Sequence, residues 1–217
     1  MFIGHWAPAL AVAARRKSPG LGTLFIAAQL VDWAFFLFVL LGVEKMRLNP
    51  AISAVSPLDL YYMPYTHSLL GALVFGGGII VVIWTLSKDI TGALLAGAVV
   101  VSHWLLDVLV HVPDLTIAGS PPKLGFGLWN HPMVEMPLEL AITFGALWLY
   151  VRARQPIMGR ALLLGGLMLG LQLFNWFGPV APEVTPATSY LALFAYGLVT
   201  LAGWWLGKSA IRNPQAH

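Results

Sequence analysis

The chain has 217 residues, 59% of them hydrophobic and only 10% charged, with a net charge of +3. That mixture leaves too little polar sequence to cover a water-exposed surface; it excludes a soluble domain and fits an integral membrane protein of about six spans. The 12 Lys and Arg residues are scattered between apolar runs, as topology determinants are, so nucleic acid is excluded as a partner and the lipid bilayer is the expected one. With no cysteine, disulfides and thiolate metal sites are excluded, and any metal must be held by histidine and carboxylate.

Residues 7–14 form a short apolar stretch with Arg15, Arg16 and Lys17 behind it and nothing basic in front. That charge order is the reverse of a signal peptide's, and predicts a short N-terminal half-helix retained in the mature protein. The first full span is predicted over 21–43, interrupted only by Gln29 and Asp32. A turn-rich loop over 49–59 and an aromatic cluster over 61–65, suited to a membrane interface, lead to a second span over 69–86. In that span Gly76, Gly77 and Gly78 allow a close helix approach.

A third span over 90–110 follows the Lys88-Asp89 turn, and Pro113 and the Pro/Gly loop over 119–127 end it. The fourth span covers 133–151, with Glu135 and Glu139 in its first turns. The fifth covers 161–177, with Gly166 and Gly170 at packing spacing, and the sixth covers 188–206. The whole is one all-α polytopic domain, 1–217, with its ionisable part in about 1–140 and two packing helices over about 160–207. Alternating spans place Arg15, Arg16, Lys17, Lys88, Arg152, Arg154, Arg160, Lys208 and Arg212 at one membrane face and only Lys45, Arg47 and Lys123 at the other. The first face, with the C-terminus, is therefore expected to be cytoplasmic.

His103, Asp107 and His111 interrupt the third span at i, i+4 and i+8. Each four-residue step turns 400°, so the three drift by only ~40° per step and project from one helix face over ~12 Å. Ionisable groups in a membrane-length segment are costly and by default face a bundle interior with partners. Asp32, His103 and His5 each sit about 15–19 Å from the cytoplasmic start of their segments, which puts all three near one level. Asp107, His111, His67, His131 and Glu135 extend the column outward.

Five of the 6 histidines belong to this set, the sixth being His217. His103/Asp107 and His131/Glu135 are both i, i+4 pairs, the spacing by which a helix presents two ligands to one ion, and imidazole with carboxylate suits zinc. Each residue also has a plainer reading. His103 and Asp107 could hydrogen-bond to each other, and His111 could cap carbonyls. His131 could be an exposed loop residue, Asp32 a proton relay or a partner of Gln29, and Asp59 a turn cap. Asp114, Glu139 and Glu44 read as supporting or surface groups.

Gly4-His5-Trp6, the Asp32 span, Tyr65-Thr66-His67-Ser68-Leu69-Leu70 and Ser102-His103-Trp104-Leu105-Leu106-Asp107 together resemble the prokaryotic membrane-bound metal-dependent hydrolases of the YdjM-like group. The resemblance runs to about Glu135 and implies an inner-membrane hydrolase. The order His, Asp, His, H-x-x-x-D, His, H-x-x-x-E is also similar to that of the zinc-dependent phospholipase C and P1-nuclease superfamily. This second resemblance implies two or three zinc ions held by His5, one of Asp32 or Asp59, His67, His103, Asp107, His111, His131 and Glu135, with Asp107 bridging two of them. The chain departs from that pattern in being membrane-embedded, in lacking an N-terminal Trp, and in the nearness of His111 to Asp107.

The expectation is a membrane-embedded zinc hydrolase acting on a phosphoester of an amphiphilic or lipid-type substrate. Asp107, Glu135 and Asp59 are its candidate catalytic carboxylates, and the site is expected to open to the external side. A proton or divalent-metal transporter and a metal-stabilised scaffold are the competing readings; sequence leaves the oligomeric state open.

Overall fold

The computed structural model describes residues 1–210; Arg212 and His217 lie outside the described residues. The fold is all-α. A 3-10 turn, Ile3–His5, runs into α1 (Trp6–Ala13), and α2 (Leu21–Leu40) follows. A small antiparallel hairpin of β1 (Lys45–Leu48) and β2 (Leu58–Tyr62) comes next, where sequence predicts only a loop. Then come α3 (Leu69–Ser87), α4 (Ile90–Val110), α5 (Pro132–Arg154), α6 (Met158–Phe177) and α7 (Pro186–Gly207), with a 3-10 turn at Leu128–Asn130 before α5. The 6 helices α2 to α7 are each long and apolar enough to cross a membrane.

Local chemistry sets the helix starts. The Ser68 and Asp89 side chains accept from the backbone N–H of Gly71 and Gly92, capping α3 and α4, and Thr185 and Thr188 form a capping box on α7. At the other end of α4, Pro113 forces the chain out of helical geometry, so His111 is the extended C-cap. The loop beyond is pinned to the start of α3 by Leu69 N–H to Thr116 C=O (3.0 Å) and Leu70 N–H to Ile117 C=O (2.9 Å). His67 and His111 are thereby held side by side, with ring centroids 6.0 Å apart.

The half-helix α1 lies in the middle of the bundle against α2, α4 and α5, with Trp6, Ala9 and Leu10 fully buried. Helices α2 and α7 pack together, as do α3 and α4 and α6 and α7, while α3 turns a broad apolar face outward. The ends of α1, α5, α6 and α7 meet at one pole. There the Arg154 guanidinium reaches the Arg15 carbonyl (3.5 Å) and the Arg160 guanidinium reaches that of Trp205 (2.7 Å). Arg160 and Lys208 also lie over the rings of Trp205 and Trp204, the pairing of cation and aromatic that suits a membrane interface.

Two glycine expectations change. Of Gly76, Gly77 and Gly78, only Gly76 meets a neighbour, the Gly97 carbonyl of α4, 3.1 Å from where a Cβ would stand. Gly166 and Gly170 face open space, and it is Gly165 that packs, against Leu147 of α5. Gly76→Leu should therefore prise α3 from α4 and destabilise the protein by about 1–3 kcal/mol. Gly77→Leu should be close to neutral; thermal melts of the two variants in detergent distinguish the positions.

Candidate metal centre

Six of the predicted residues converge: His5, Asp32, His67, His103, Asp107 and His111 are all buried. His5 comes from the N-terminal 3-10 turn, Asp32 from the middle of α2, His67 from the approach to α3, and the remaining three from α4 and its cap. Asp107 is at the centre, and its two oxygens face different partners. Oδ2 lies 3.2 Å from His103 Nε2 and 3.8 Å from His67 Nε2. Oδ1 lies 2.9 Å from His5 Nε2, 3.4 Å from His111 Nε2 and 3.0 Å from the Met1 nitrogen. Asp32 Oδ1 completes the first group at 3.4 Å from both His67 Nε2 and His103 Nε2. The His5 and His103 rings are stacked, with centroids 3.6 Å apart.

The outer nitrogens of three rings fix which tautomer each holds. His103 Nδ1 lies 2.9 Å from the Ala28 carbonyl, which can only accept, so the proton is on Nδ1. The Thr66 hydroxyl donates its one proton to Glu44 Oε2 (2.6 Å); its 2.9 Å contact with His67 Nδ1 therefore makes the imidazole the donor. Glu44 is held for this by the backbone N–H groups of Tyr65 and Thr66, each at 2.9 Å. His111 Nδ1 donates to Asp114 Oδ1 at 3.0 Å.

In their neutral form all three rings therefore turn a bare Nε2 lone pair toward carboxylate oxygens. His103 Nε2 and Asp107 Oδ2 are buried with no hydrogen-bond partner. Lone pairs facing lone pairs in a low-dielectric interior are strongly unfavourable unless a positive charge sits between them. A divalent ion in such a nest would meet two negative charges, from Asp32 and Asp107, and neutral imidazoles.

The spacing also fits. A tetrahedron with zinc bonds of 2.0–2.1 Å has edges of about 3.3 Å. The four contacts linking Asp32 Oδ1, His67 Nε2, His103 Nε2 and Asp107 Oδ2 run from 3.2 to 3.8 Å. The two groups that could hold an ion, His5 with His103 and Asp107, and Asp32 with His67 and His103, share the His103 ring.

Two of the supporting residues, Gln172 and Tyr196, come from helices that sequence treats as packing only. Asp32 Oδ2 accepts from Gln29 (2.9 Å) and from the Tyr196 hydroxyl of α7 (3.3 Å), leaving Oδ1 for the imidazoles. Glu139 Oε1 accepts from the backbone N–H of Phe2 (2.6 Å) and Gly4 (2.9 Å). Its Oε2 accepts from Gln172 of α6 (3.0 Å), whose carbonyl accepts from Ile3 N–H (3.3 Å). Glu139 and Gln172 thus tie down the turn that carries His5. The signal for Gln172 and Tyr196 was present in the sequence as polar groups inside membrane-length apolar runs.

Three predicted site residues stand apart from this cluster. Asp59 is opposite Arg47 in the hairpin register and pairs with it, Oδ2 to Nε 2.6 Å, so it serves the hairpin and leaves the aspartate position to Asp32. His131 is exposed. It is the N-cap of α5 (φ −125°, ψ 68°) and its carbonyl accepts from Glu135 N–H (2.9 Å), but its exposed side chain does not join the buried Glu135 carboxyl. Glu135 is fully buried with both oxygens unpartnered, and it is not a member of either potential metal group.

A cavity of about 440 Å³ reaches the cluster. His5, Asp32, His67, Asp107 and His111 line its floor, Glu135 and Glu139 one wall, and apolar side chains of α2, the hairpin, α6 and α7 the rest. Comparison with protein-family models, curated proteins and solved structures found no match.

In ¹⁵N-histidine spectra, His67 and His103 should carry their proton on Nδ1. Thr66→Val should free His67 to exchange between tautomers while leaving His103 unchanged; His67 still locked in that variant would mean that the Glu44–Thr66 pair does not set it.

Proposed function

We propose that this chain is a membrane-embedded, zinc-dependent hydrolase acting on a phosphoester of an amphiphilic substrate. The observation that carries the reading is the bare Nε2 atoms of His67, His103 and His111 converging on the two separate oxygens of Asp107 beside an open cavity. Asp32, His67, His103 and Asp107 Oδ2 would hold one ion; His5, His111 and Asp107 Oδ1 would take part in holding a second. Bound zinc supplies hydroxide near neutral pH and stabilises charge on a phosphoryl oxygen.

The protein's own groups orient and exclude. Gln29 and Tyr196 aim Asp32, the Glu44–Thr66 pair aims His67, and Asp114 aims His111. The cavity's division into a polar floor and apolar walls supports a substrate with a reactive polar end and a lipid-like body. The excess of Lys and Arg at the pole where Arg15, Arg154 and Arg160 meet supports placing that pole in the cytoplasm, with the cavity opening on the opposite, external side of a cell membrane.

The fit favours hydrolysis over conduction for a specific reason. From His5 toward the Arg15 pole the interior is filled by α1, whose Trp6, Ala9, Leu10 and Ala13 are buried and apolar, so the polar column ends at the cluster. Elemental analysis of detergent-purified protein should find zinc at one or two equivalents, and phosphate or alcohol release from a panel of lipid phosphoesters should be abolished by chelation and restored by Zn²⁺. His103→Ala should remove both metal and turnover, and Thr66→Val should weaken metal retention about 10–100-fold. Metal-free protein that turns over none of the panel would overturn the reading.

A further inference from the structure

We propose that Glu135 is the general acid that protonates the leaving group in the hydrolysis. The inference rests on the hydrolase reading above and assigns a role that neither metal group supplies.

Glu135 is fully buried on the cavity wall, in the first turn of α5, and neither of its oxygens has a partner. One helical turn on, Glu139 is also buried, but it accepts three hydrogen bonds, from Phe2 N–H, Gly4 N–H and the Gln172 amide. Those donors are taken up by Glu139 and leave none for Glu135. A second bare anion one turn from the first, in a buried site, is strongly disfavoured. No lysine or arginine lines the cavity among the described residues, and the Met1 ammonium that does is paired with Asp107 Oδ1 at 3.0 Å. The arrangement that avoids this carries a proton on the unpartnered Glu135, which lines the same cavity as His5, Asp107 and His111. His131, the other candidate partner, stands exposed outside the helix.

The step balances without a further reactant. The oxygen of the attacking water forms the new bond to phosphorus, and that water's proton leaves to solvent through the cavity. The bond from phosphorus to the leaving oxygen breaks with its electron pair on oxygen, which takes the proton from Glu135. Solvent then returns one proton to the Glu135 carboxylate, giving an alcohol and a phosphate from ester and water.

The test compares two esters of one long-chain phosphate, an alkyl ester and its p-nitrophenyl counterpart, in wild type, Glu135→Gln and Glu135→Asp. An alkoxide must be protonated as it leaves; p-nitrophenolate need not be. Glu135→Gln should lower turnover of the alkyl ester by about 10²–10³-fold and of the p-nitrophenyl ester by less than about tenfold, with zinc content unchanged. Glu135→Asp, which keeps the acid, should recover part of the alkyl-ester activity. In the infrared, wild type should show a protonated-carboxyl band that Glu135→Gln lacks and Glu135→Asp shifts, a readout independent of turnover. Equal losses on both esters, or absence of the band, would overturn this role while leaving the hydrolase reading standing. Wild type inactive on both esters would overturn the two together.

Discussion

Asp107 is a carboxylate buried in the apolar interior; the Met1 ammonium and His5 meet its Oδ1, and its other close neighbours are the Nε2 atoms of His67, His103 and His111. In the neutral rings of His67, His103 and His111 the proton lies on the far side, where Thr66, Ala28 and Asp114 accept it, and Nε2 points at Asp107 as a lone pair. Such a nest has one simple electrostatic solution, a cation among the lone pairs, and the rest of the fold makes sense as the means of keeping that nest rigid. A loose cluster could relax by turning its rings to pair with one another. Here each ring is pinned at Nδ1 by an acceptor on a helix or a closed loop.

The rigidity comes from elements far apart in sequence. Helix α4 provides two of the groups and its cap a third, while α2 brings Asp32 and the Ala28 carbonyl on one face. The N-terminal turn has too few residues to hold itself, and Glu139 and Gln172 grip its backbone instead. Small residues allow the close packing this needs: Ala7, Ala9 and Ala13 on α1, and Ala93 and Ala96 on α4, are all buried. The outer helices α3, α6 and α7 expose large apolar side chains instead.

The spans were legible because membrane-length apolar runs have hard stops; the predicted limits of α3 and α4 differ from the observed ones by at most a residue. The cluster was legible for the same reason inverted, since Asp32, His103 and Asp107 are costly where they stand and must have partners. Asp59 and His131 were misplaced because their positions depend on features that residue spacing does not carry. A hairpin register sets Arg47 opposite Asp59, and a cap leaves His131 one residue short of α5. The tautomer locks were hidden too, because Thr66 and the Ala28 carbonyl are ordinary groups until the fold sets a ring nitrogen beside them.

The placement of α1 decides what kind of chemistry the site suits. A conducting path needs polar groups or space on both sides of its centre, whereas here one side is occupied by the short apolar helix α1, whose Trp6, Ala9, Leu10 and Ala13 are buried. The other side widens into a cavity whose walls are apolar up to the carboxylates and imidazoles at its floor. A water-soluble substrate would gain nothing from those walls. A molecule that keeps its hydrocarbon among Phe35, Phe36 and Leu191 while its polar end meets Asp107 would bury apolar surface at roughly 25 cal/mol per Å². That gain is independent of the chemistry at the floor, so it can hold a scissile bond against the proposed ions without lysine or arginine, which are absent from the cavity lining among the described residues.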